Sequence, residues 1–262
     1  MTRLRALIFD VDGTLAETER DGHRVAFNQA FAQEGISWRW SEGLYGKLLE
    51  VGGGRERIQY YLKRYQGDFI SPVDSERFAA QIHQLKSKYF QQLVAQGTIQ
   101  PRPGVVRLLR SARERGIRLA IATTSAKDNA IALIRSAISP EAPAWFDVIG
   151  AGDMVPNKKP APDIYKYVLE HLGMTLDECL VIEDSRQGLL AATAAGLKTV
   201  ITVNDYTRKQ DLSSACLVLS HLGDPDRPFE VLQGNAEQAY YFTLDLAQYL
   251  LSHGPAVKFP LP

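Results

Sequence analysis

Two carboxylates, Asp10 and Asp12, stand directly after the apolar run Leu7, Ile8, Phe9 and just before Gly13 and Thr14. A short apolar run of this kind reads as a strand buried on both faces, which puts the two acids at its carboxyl end, where open α/β sheets hold their ligands. Residues two apart in an extended chain face the same side, so Asp10 and Asp12 converge on one cation or one reacting group. A plain polar turn is the alternative. A calcium loop is excluded, because its register puts apolar Ile8 at the first ligand position and no charged helix precedes it.

Three further strand ends carry polar groups. The run 118–122 ends in Thr123, Thr124 and Ser125, hydroxyls that commonly cap the next helix. The stretch 157–163, NKKPAPD, sets two lysines before a proline, a place where surface charges are usual. The run 179–182 ends in Glu183 and Asp184. An acidic pair there either meets the positive N-terminus of the following helix or takes a hard cation such as magnesium, for which few carboxylates suffice because the ion keeps several waters.

Taken in order, DVDGT, the hydroxyl at Thr123, KPAPD and the acids at 183–184 resemble the motifs of the haloacid dehalogenase (HAD) superfamily. The resemblance implies that Asp10 is the nucleophile of a phosphatase and Asp12 its acid/base. It gives Thr123 a phosphate oxygen, with Thr124 and Ser125 beside the substrate, and has Lys159 neutralise the phosphoryl group. It assigns Mg2+ to Asp10, Asp184, Glu183 and the backbone carbonyl of Asp12. Lys158 is expected to have no such role, and Asp163 either orients the loop or caps its helix, capping being preferred.

The elements that must position these groups follow from periodicity. Residues 18–97 read as helices at 18–35, 42–51, 55–64 and 75–95, the last capped by Asp74 or Ser75, with a loop at 67–72. After the Pro-Arg-Pro-Gly linker at 101–104, strands at 118–122, 146–149, 179–182 and 199–203 alternate with helices at 105–115, 128–137, 163–171 and 186–194. That alternation predicts an α/β fold with a parallel sheet and helices on both faces, joined by the first strand. Beyond residue 205 the expectations are an edge strand at 216–219, a loop at 224–228, a closing helix at 236–251 and a loose tail at 258–262. In terms of the resemblance, this is a HAD-like Rossmannoid core of residues 1–17 and 98–262 with an inserted helical (type C1) cap of residues 18–97.

Substrate choice then falls to the cap. Glu17 and His23 lie where the chain leaves the core and are candidates for sugar hydroxyls, Glu17 alternatively for a hinge. Gly52, Gly53 and Gly54 with Arg55 and Glu56 fail the dinucleotide fingerprint, since no strand precedes them and the third glycine of that pattern is missing. They either connect two helices or offer backbone N–H groups at a helix N-terminus plus an arginine, which suits a second, unreacting phosphate. Lys86 is a weaker addition to that site, or a solvated charge. The stretches ETERDGHRVAFNQAF, GGGRER and NKKPAPDIY resemble the CbbY-type phosphatases, which implies removal of the 1-phosphate of xylulose 1,5-bisphosphate, an inhibitory by-product of Rubisco.

Bulk properties narrow the partners. The 262 residues suffice for a sizeable core. With 30 Lys and Arg against 30 Asp and Glu, no net positive field points to nucleic acid or an anionic membrane. No apolar run approaches the ~20 residues of a membrane span. Two cysteines, Cys179 and Cys216, are too few for a disulfide framework or a thiolate metal site. The expectation is a monomer acting on a small sugar bisphosphate in a bacterial cytoplasm, or in a chloroplast stroma if a transit peptide has been removed. A β-phosphoglucomutase shares the core motifs and is the alternative enzyme. A non-catalytic sugar-phosphate sensor is disfavoured by intact Asp10, Asp12, Lys159 and Asp184, and a dehalogenase by the presence of Asp12.

Overall fold

The computed structural model describes residues 3–69 and 73–255. Strand β1 (Ala6–Phe9) lies in the middle of a seven-stranded sheet, paired in parallel with β2 (Arg118–Ala122) and β4 (Cys179–Glu183). Outside these lie β3 (Val148–Gly150) on one side, and β5 (Lys198–Thr202), β6 (Leu217–Leu219) and β7 (Val231–Gly234) on the other, in the order β3-β2-β1-β4-β5-β6-β7. All pairs are parallel except β6 with β7. Phe9 aligns with both Ile121 and Ile182, so the carboxyl ends of β1, β2 and β4 finish side by side.

The central strands are apolar throughout because both faces are covered. Leu7, Phe9, Leu119, Ile121, Leu180 and Ile182 pack against helices α5 (Val105–Glu114), α6 (Lys127–Ala137) and α9 (Leu244–His253). The alternate residues Ala6, Ile8, Ala120, Ala122 and Val181 pack against α7 (Asp163–Leu172) and α8 (Arg186–Ala194). This two-faced packing is the parallel-sheet arrangement expected from the alternation of strands and helices.

Between β1 and β2 the chain makes a helical insertion: α1 (Arg24–Gln33), α2 (Glu42–Leu48), α3 (Gly54–Tyr65) and α4 (Ser75–Ala95). It has its own apolar cluster, with Phe27, Phe31, Trp40, Tyr45, Ile58 and Phe78 among its members. Asp74 caps α4 as expected, its carboxylate accepting the N–H groups of Glu76 and Arg77. Ahead of α1, residues Glu19–His23 form a π-turn in which the His23 N–H donates to the Thr18 carbonyl at 2.7 Å. Such turns add a residue to the helical repeat and recur at functional sites.

Several expectations are corrected. Helix α2 stops at Leu48 rather than 51: the Glu50 and Val51 N–H groups turn to carbonyls three residues back, those of Lys47 and Leu48, and the buried Arg57 guanidinium donates to the Leu48 and Val51 carbonyls beyond the helix end. The strand at 217–219 is not an edge: β7, four exposed residues without apolar alternation, covers it in antiparallel sense. Helix α9 begins at Leu244, not 236. Glu237 and Gln238 have φ of 48° and 65°, outside helical values, and the Thr243 hydroxyl caps the helix by accepting the Leu246 N–H. Ala236, Ala239 and Phe242 pack on the core from an irregular segment ahead of the helix. Asp163 is the first residue of α7 and accepts from Asn157 Nδ2 at 2.9 Å, ordering the loop rather than capping the helix. Residues 70–72 of the expected 67–72 loop, and the tail at 258–262, lie outside the described residues.

Candidate active site

The adjacent ends of β1, β2 and β4 bring four sequence-predicted residues into one buried cluster. Lys159 Nζ donates to Asp10 Oδ1 at 2.8 Å, to Glu183 Oε1 at 2.6 Å and to the Ala122 carbonyl at 2.7 Å. Asp184 completes the group; Asp10, Glu183 and Asp184 each offer a carboxylate oxygen within 4.8 Å of the others. Burial pushes the Asp10 carboxyl up to about 8, with Lys159 opposing and Glu183 adding to the rise. Burial, Glu183 and Asp10 push Asp184 well above the carboxylate range. Burial would also raise Glu183, but Lys159 and the N–H groups of Asp184 and Ser185 outweigh it and hold that carboxyl low.

The Lys159 ammonium thus pairs with two of the three buried carboxylates, Asp10 and Glu183, and Asp184 has no ion pair among the described residues. A hard divalent cation would supply the missing positive charge, and an all-oxygen donor set suits it. The carboxylates differ in what is left for a cation. Glu183 Oε1 accepts from Lys159 and the Tyr165 hydroxyl, and Oε2 from the Asp184 and Ser185 N–H groups and the Ser185 hydroxyl. Asp10 and Asp184 each keep one oxygen without a protein donor among the described residues. Gly188 presses on Glu183 so closely that a Cβ there would overlap its carboxylate.

Asp12 sits in a different environment. Its Oδ1 accepts from the Thr18 hydroxyl at 2.6 Å and His23 Nε2 at 2.7 Å, and its Oδ2 from the Ser125 hydroxyl at 2.5 Å. Burial alone would raise this carboxyl, but His23 and the two hydroxyls hold it well below the usual range. His23, stacked on Phe90 at 4.0 Å, has Lys86 Nζ 2.7 Å from its other ring nitrogen. An ammonium only donates, so Nδ1 accepts and Nε2 carries the hydrogen toward Asp12. Lys86 is buried over the faces of Phe27 and Phe90, and burial lowers it to about 8. Its ammonium is engaged with His23 rather than projecting as a solvated charge.

Two cavities meet here. The smaller, about 330 Å³, is lined by the Asp10, Lys159, Glu183 and Asp184 cluster. The larger, about 780 Å³, lies under the insertion and is lined by Gly53, Gly54, Arg55, Glu56, Lys86 and Ser125 among others. Asp12, Glu19, Arg57 and Thr124 line both. Gly52 borders the smaller cavity against the Lys159 backbone. Gly53, at φ 90°, precedes α3 in a conformation that suits glycine. Arg55 is exposed on the wall of the larger cavity with no ion-pair partner among the described residues, whereas Glu56 is paired with Lys158 at 2.7 Å. Lys158, given no role from sequence, therefore ties the loop that bears Lys159 to helix α3. Thr123 is buried beneath the cavity floor, its hydroxyl accepting the Ser125 N–H at 3.1 Å. Glu17 reaches neither cavity; it is exposed and pairs with Arg102 at 3.0 Å.

Sequence reasoning missed Arg57, Tyr45, Arg77 and His83. Arg57 donates to the Tyr45 hydroxyl, which donates to Glu19 Oε2 at 2.6 Å, a chain that fixes Glu19 at the junction of the cavities. Arg77 and His83 stand on the α4 wall of the larger cavity. Burial, then Lys86, Arg55 and Lys158, press His83 down to about 3, which marks this wall as electropositive. The helical spacing of 77, 80, 83, 84 and 87 was the available signal for the α4 wall, whereas Arg57, two residues beyond Arg55 and buried on another face of α3, had none.

The chain matches the family model of the haloacid dehalogenase-like hydrolases over residues 4–196. It is 46% identical over 212 residues to the CbbY protein of Rhodobacter capsulatus, covering 81% of this chain and 91% of that one. Identity to the plasmid-borne CbbY of Cupriavidus necator is 42% over 225 residues, covering 86% of this chain and 88% of that one. A crystal structure of an Asp-to-Asn variant of CbbY from Rhodobacter sphaeroides, in complex with xylulose 1,5-bisphosphate, matches with a TM-score of 0.77 at 42% identity. That match covers 83% of this chain and 94% of the other.

Proposed function

Because the chain belongs to the haloacid dehalogenase-like hydrolases, and within them to the CbbY family, we propose that it is a magnesium-dependent phosphatase of sugar bisphosphates whose substrate is xylulose 1,5-bisphosphate. The observation that supports this best is the pair of joined cavities: one holds Asp10, Lys159 and Asp184, the other carries Arg55, Arg77 and Lys158 on its walls. A substrate with phosphates at both ends can occupy the two together. We read residues 1–17 and 98–262 as the core that handles the reacting phosphate, and 18–97, with its separate apolar cluster, as the cap that selects what is attached to it.

In the first step an Asp10 oxygen attacks phosphorus in line, the bond from phosphorus to the sugar oxygen breaks, and Asp12 protonates the departing alkoxide. In the second, Asp12 takes a proton from water, the water oxygen attacks the phosphorus of the aspartyl-phosphate, and inorganic phosphate leaves. Asp12 therefore works in both protonation states. Its three donors favour the carboxylate needed for the second step, and the charge of an arriving phosphate raises its proton affinity for the first. Lys159 offsets charge on the phosphoryl oxygens, and Thr123 and Thr124 lie at the same strand end. Asp10 and Asp184, with the Asp12 backbone carbonyl and with Glu183 behind them, would hold magnesium, which would supply a second positive charge against the phosphoryl group.

The test is phosphate release, with magnesium and with chelator, from xylulose 1,5-bisphosphate, ribulose 1,5-bisphosphate, fructose 1,6-bisphosphate and β-glucose 1-phosphate. Magnesium-dependent preference for the first is expected. Conversion of β-glucose 1-phosphate to the 6-phosphate with little phosphate release would make the protein a mutase instead.

A further inference from the structure

The loop after β5 belongs to none of the sequence motifs, yet it touches both the carboxylate cluster and the helical insertion. Asn204 is nine-tenths buried, and its side-chain Nδ2 donates to Asp184 Oδ2 at 2.7 Å. Its Oδ1 accepts the Tyr206 N–H at 2.9 Å. A backbone N–H can only donate, so the amide has one orientation: oxygen toward Tyr206, NH2 toward Asp184. The Asn204 N–H donates to the Thr207 hydroxyl at 3.0 Å and the Thr207 N–H returns to the Asn204 carbonyl, so the loop closes on itself. Gly13 packs against the same pair. A Cβ there would overlap the Asp184 carboxylate and come within 2.7 Å of Asn204 Nδ2.

Two residues along, the chain faces the insertion. The Tyr206 ring packs with the apolar cluster of α1–α4, edge-on to Tyr45 with ring centres 6.2 Å apart. It lies so close to α2 that a Cβ built on Gly46 would be 3.0 Å from it. Its hydroxyl is buried without a partner among the described residues, so the ring is held by packing alone. Tyr206 thus places its side chain against the insertion while its own N–H orients the amide that holds Asp184.

We propose that Asn204 and Tyr206 form a positioning link through which seating of the helical insertion on Tyr206 fixes the Asp184 carboxylate for its cation. The inference rests on the reading of Asp10 and Asp184 as cation ligands. With Oδ2 tied to Asn204, Asp184 cannot turn, and its other oxygen stays available. Partners that orient a ligating carboxylate in this way contribute to metal affinity without touching the metal. Coupling of this kind is reciprocal, so the cation in turn favours the seated arrangement of the insertion.

The experiment is calorimetric titration of Mn2+ into the chelator-treated full-length protein, comparing wild type with Asn204→Ala, Asn204→Ser, Tyr206→Ala and Tyr206→Phe. Removing the amide should weaken Mn2+ binding about tenfold or more. Tyr206→Ala should weaken it by a smaller factor, although its side chain touches no carboxylate of the cluster. Tyr206→Phe should bind as wild type does, because the lost hydroxyl has no partner. Asn204→Ser keeps a short polar side chain and serves if the alanine variant does not fold. Wild-type affinity in the folded Asn204 variants overturns the positioning role. Wild-type affinity in Tyr206→Ala overturns the link to the insertion. Failure of the wild-type protein itself to bind Mn2+ removes the cation reading and leaves the hydrogen bonds as structure only.

Discussion

His23 Nε2 lies 2.7 Å from Asp12 Oδ1, and the other nitrogen of the same ring lies 2.7 Å from Lys86 Nζ. The Asp12 carboxylate is thereby joined through one imidazole to a buried ammonium on the insertion. Burial brings Lys86 down from its ordinary 10.5 to about 8, so the folded protein gives up this proton before the unfolded chain does.

Two consequences follow for pH. Above about 8 an uncharged Lys86 can accept as well as donate, and the tautomer that directs Nε2–H at Asp12 is no longer enforced. Activity should fall as pH rises through that value, and Lys86→Met should lack this alkaline limb. The sign for stability is opposite. Between about 8 and 10.5 the unfolded state binds the extra proton, so the cost of burying this cation is present below 8 and is relieved as pH rises. Thermal unfolding of wild type and variant across this range should show wild type gaining relative to Lys86→Met. A constant difference would mean that Lys86 does not titrate there.

Among the described residues Lys159 is the one cation bonded to the Asp10 and Glu183 carboxylates. Lys159→Met leaves Asp10 and Glu183 without it and should destabilise the protein by about 3 kcal/mol, with loss of turnover. Adding Glu183→Gln removes one of the stranded charges and should recover part of the stability but none of the activity. Urea unfolding of the single and double variants measures both. A double variant less stable than the single would show that Glu183 is not stranded by loss of Lys159.

Among the described residues Arg55 has no ion-pair partner, and it lines the larger cavity. Arg55→Ala should raise KM for a bisphosphate about tenfold or more, since losing a charge-assisted contact costs roughly 1.5 to 3 kcal/mol. KM for a generic aryl phosphate should hardly move. Equal effects on both substrates would remove the second-phosphate site.

Gly188 fills the space against Glu183 where no side chain fits. Gly188→Ala should lower stability by about 1 to 3 kcal/mol through overpacking, and lower activity by displacing Glu183 from Lys159. A variant with wild-type melting temperature and rate would show that this contact yields freely.

Much of the core of this site was legible because Asp10, Asp12 and Asp184 follow apolar strands and Lys159 stands in the proline-containing turn shortly before α7, signals contained within a few residues. The alternation of strands and helices likewise follows from local periodicity, down to the coincident bounds of β2 and α8. What was not legible depends on contacts between distant segments. Asn204 becomes significant only when β5 lies beside β4, and Arg57 only when α3 folds back on α2. Glu17 was the candidate from sequence, but its ion pair with Arg102 holds it away from the cavities, while Glu19 lies at their junction. Strand β7 is four exposed residues with no pattern of their own, and its place comes from β6.

The most direct test of the account is mass analysis of acid-quenched protein after mixing with magnesium and xylulose 1,5-bisphosphate, using wild type and Asp12→Asn. The second variant lacks the base that deprotonates water, so its covalent intermediate should persist. The account predicts one added phosphoryl group on the peptide that contains Asp10, accumulating in Asp12→Asn and absent from Asp10→Asn. Rapid phosphate release with no covalent phosphoryl group in any variant, or a phosphoryl group on another residue, would contradict it.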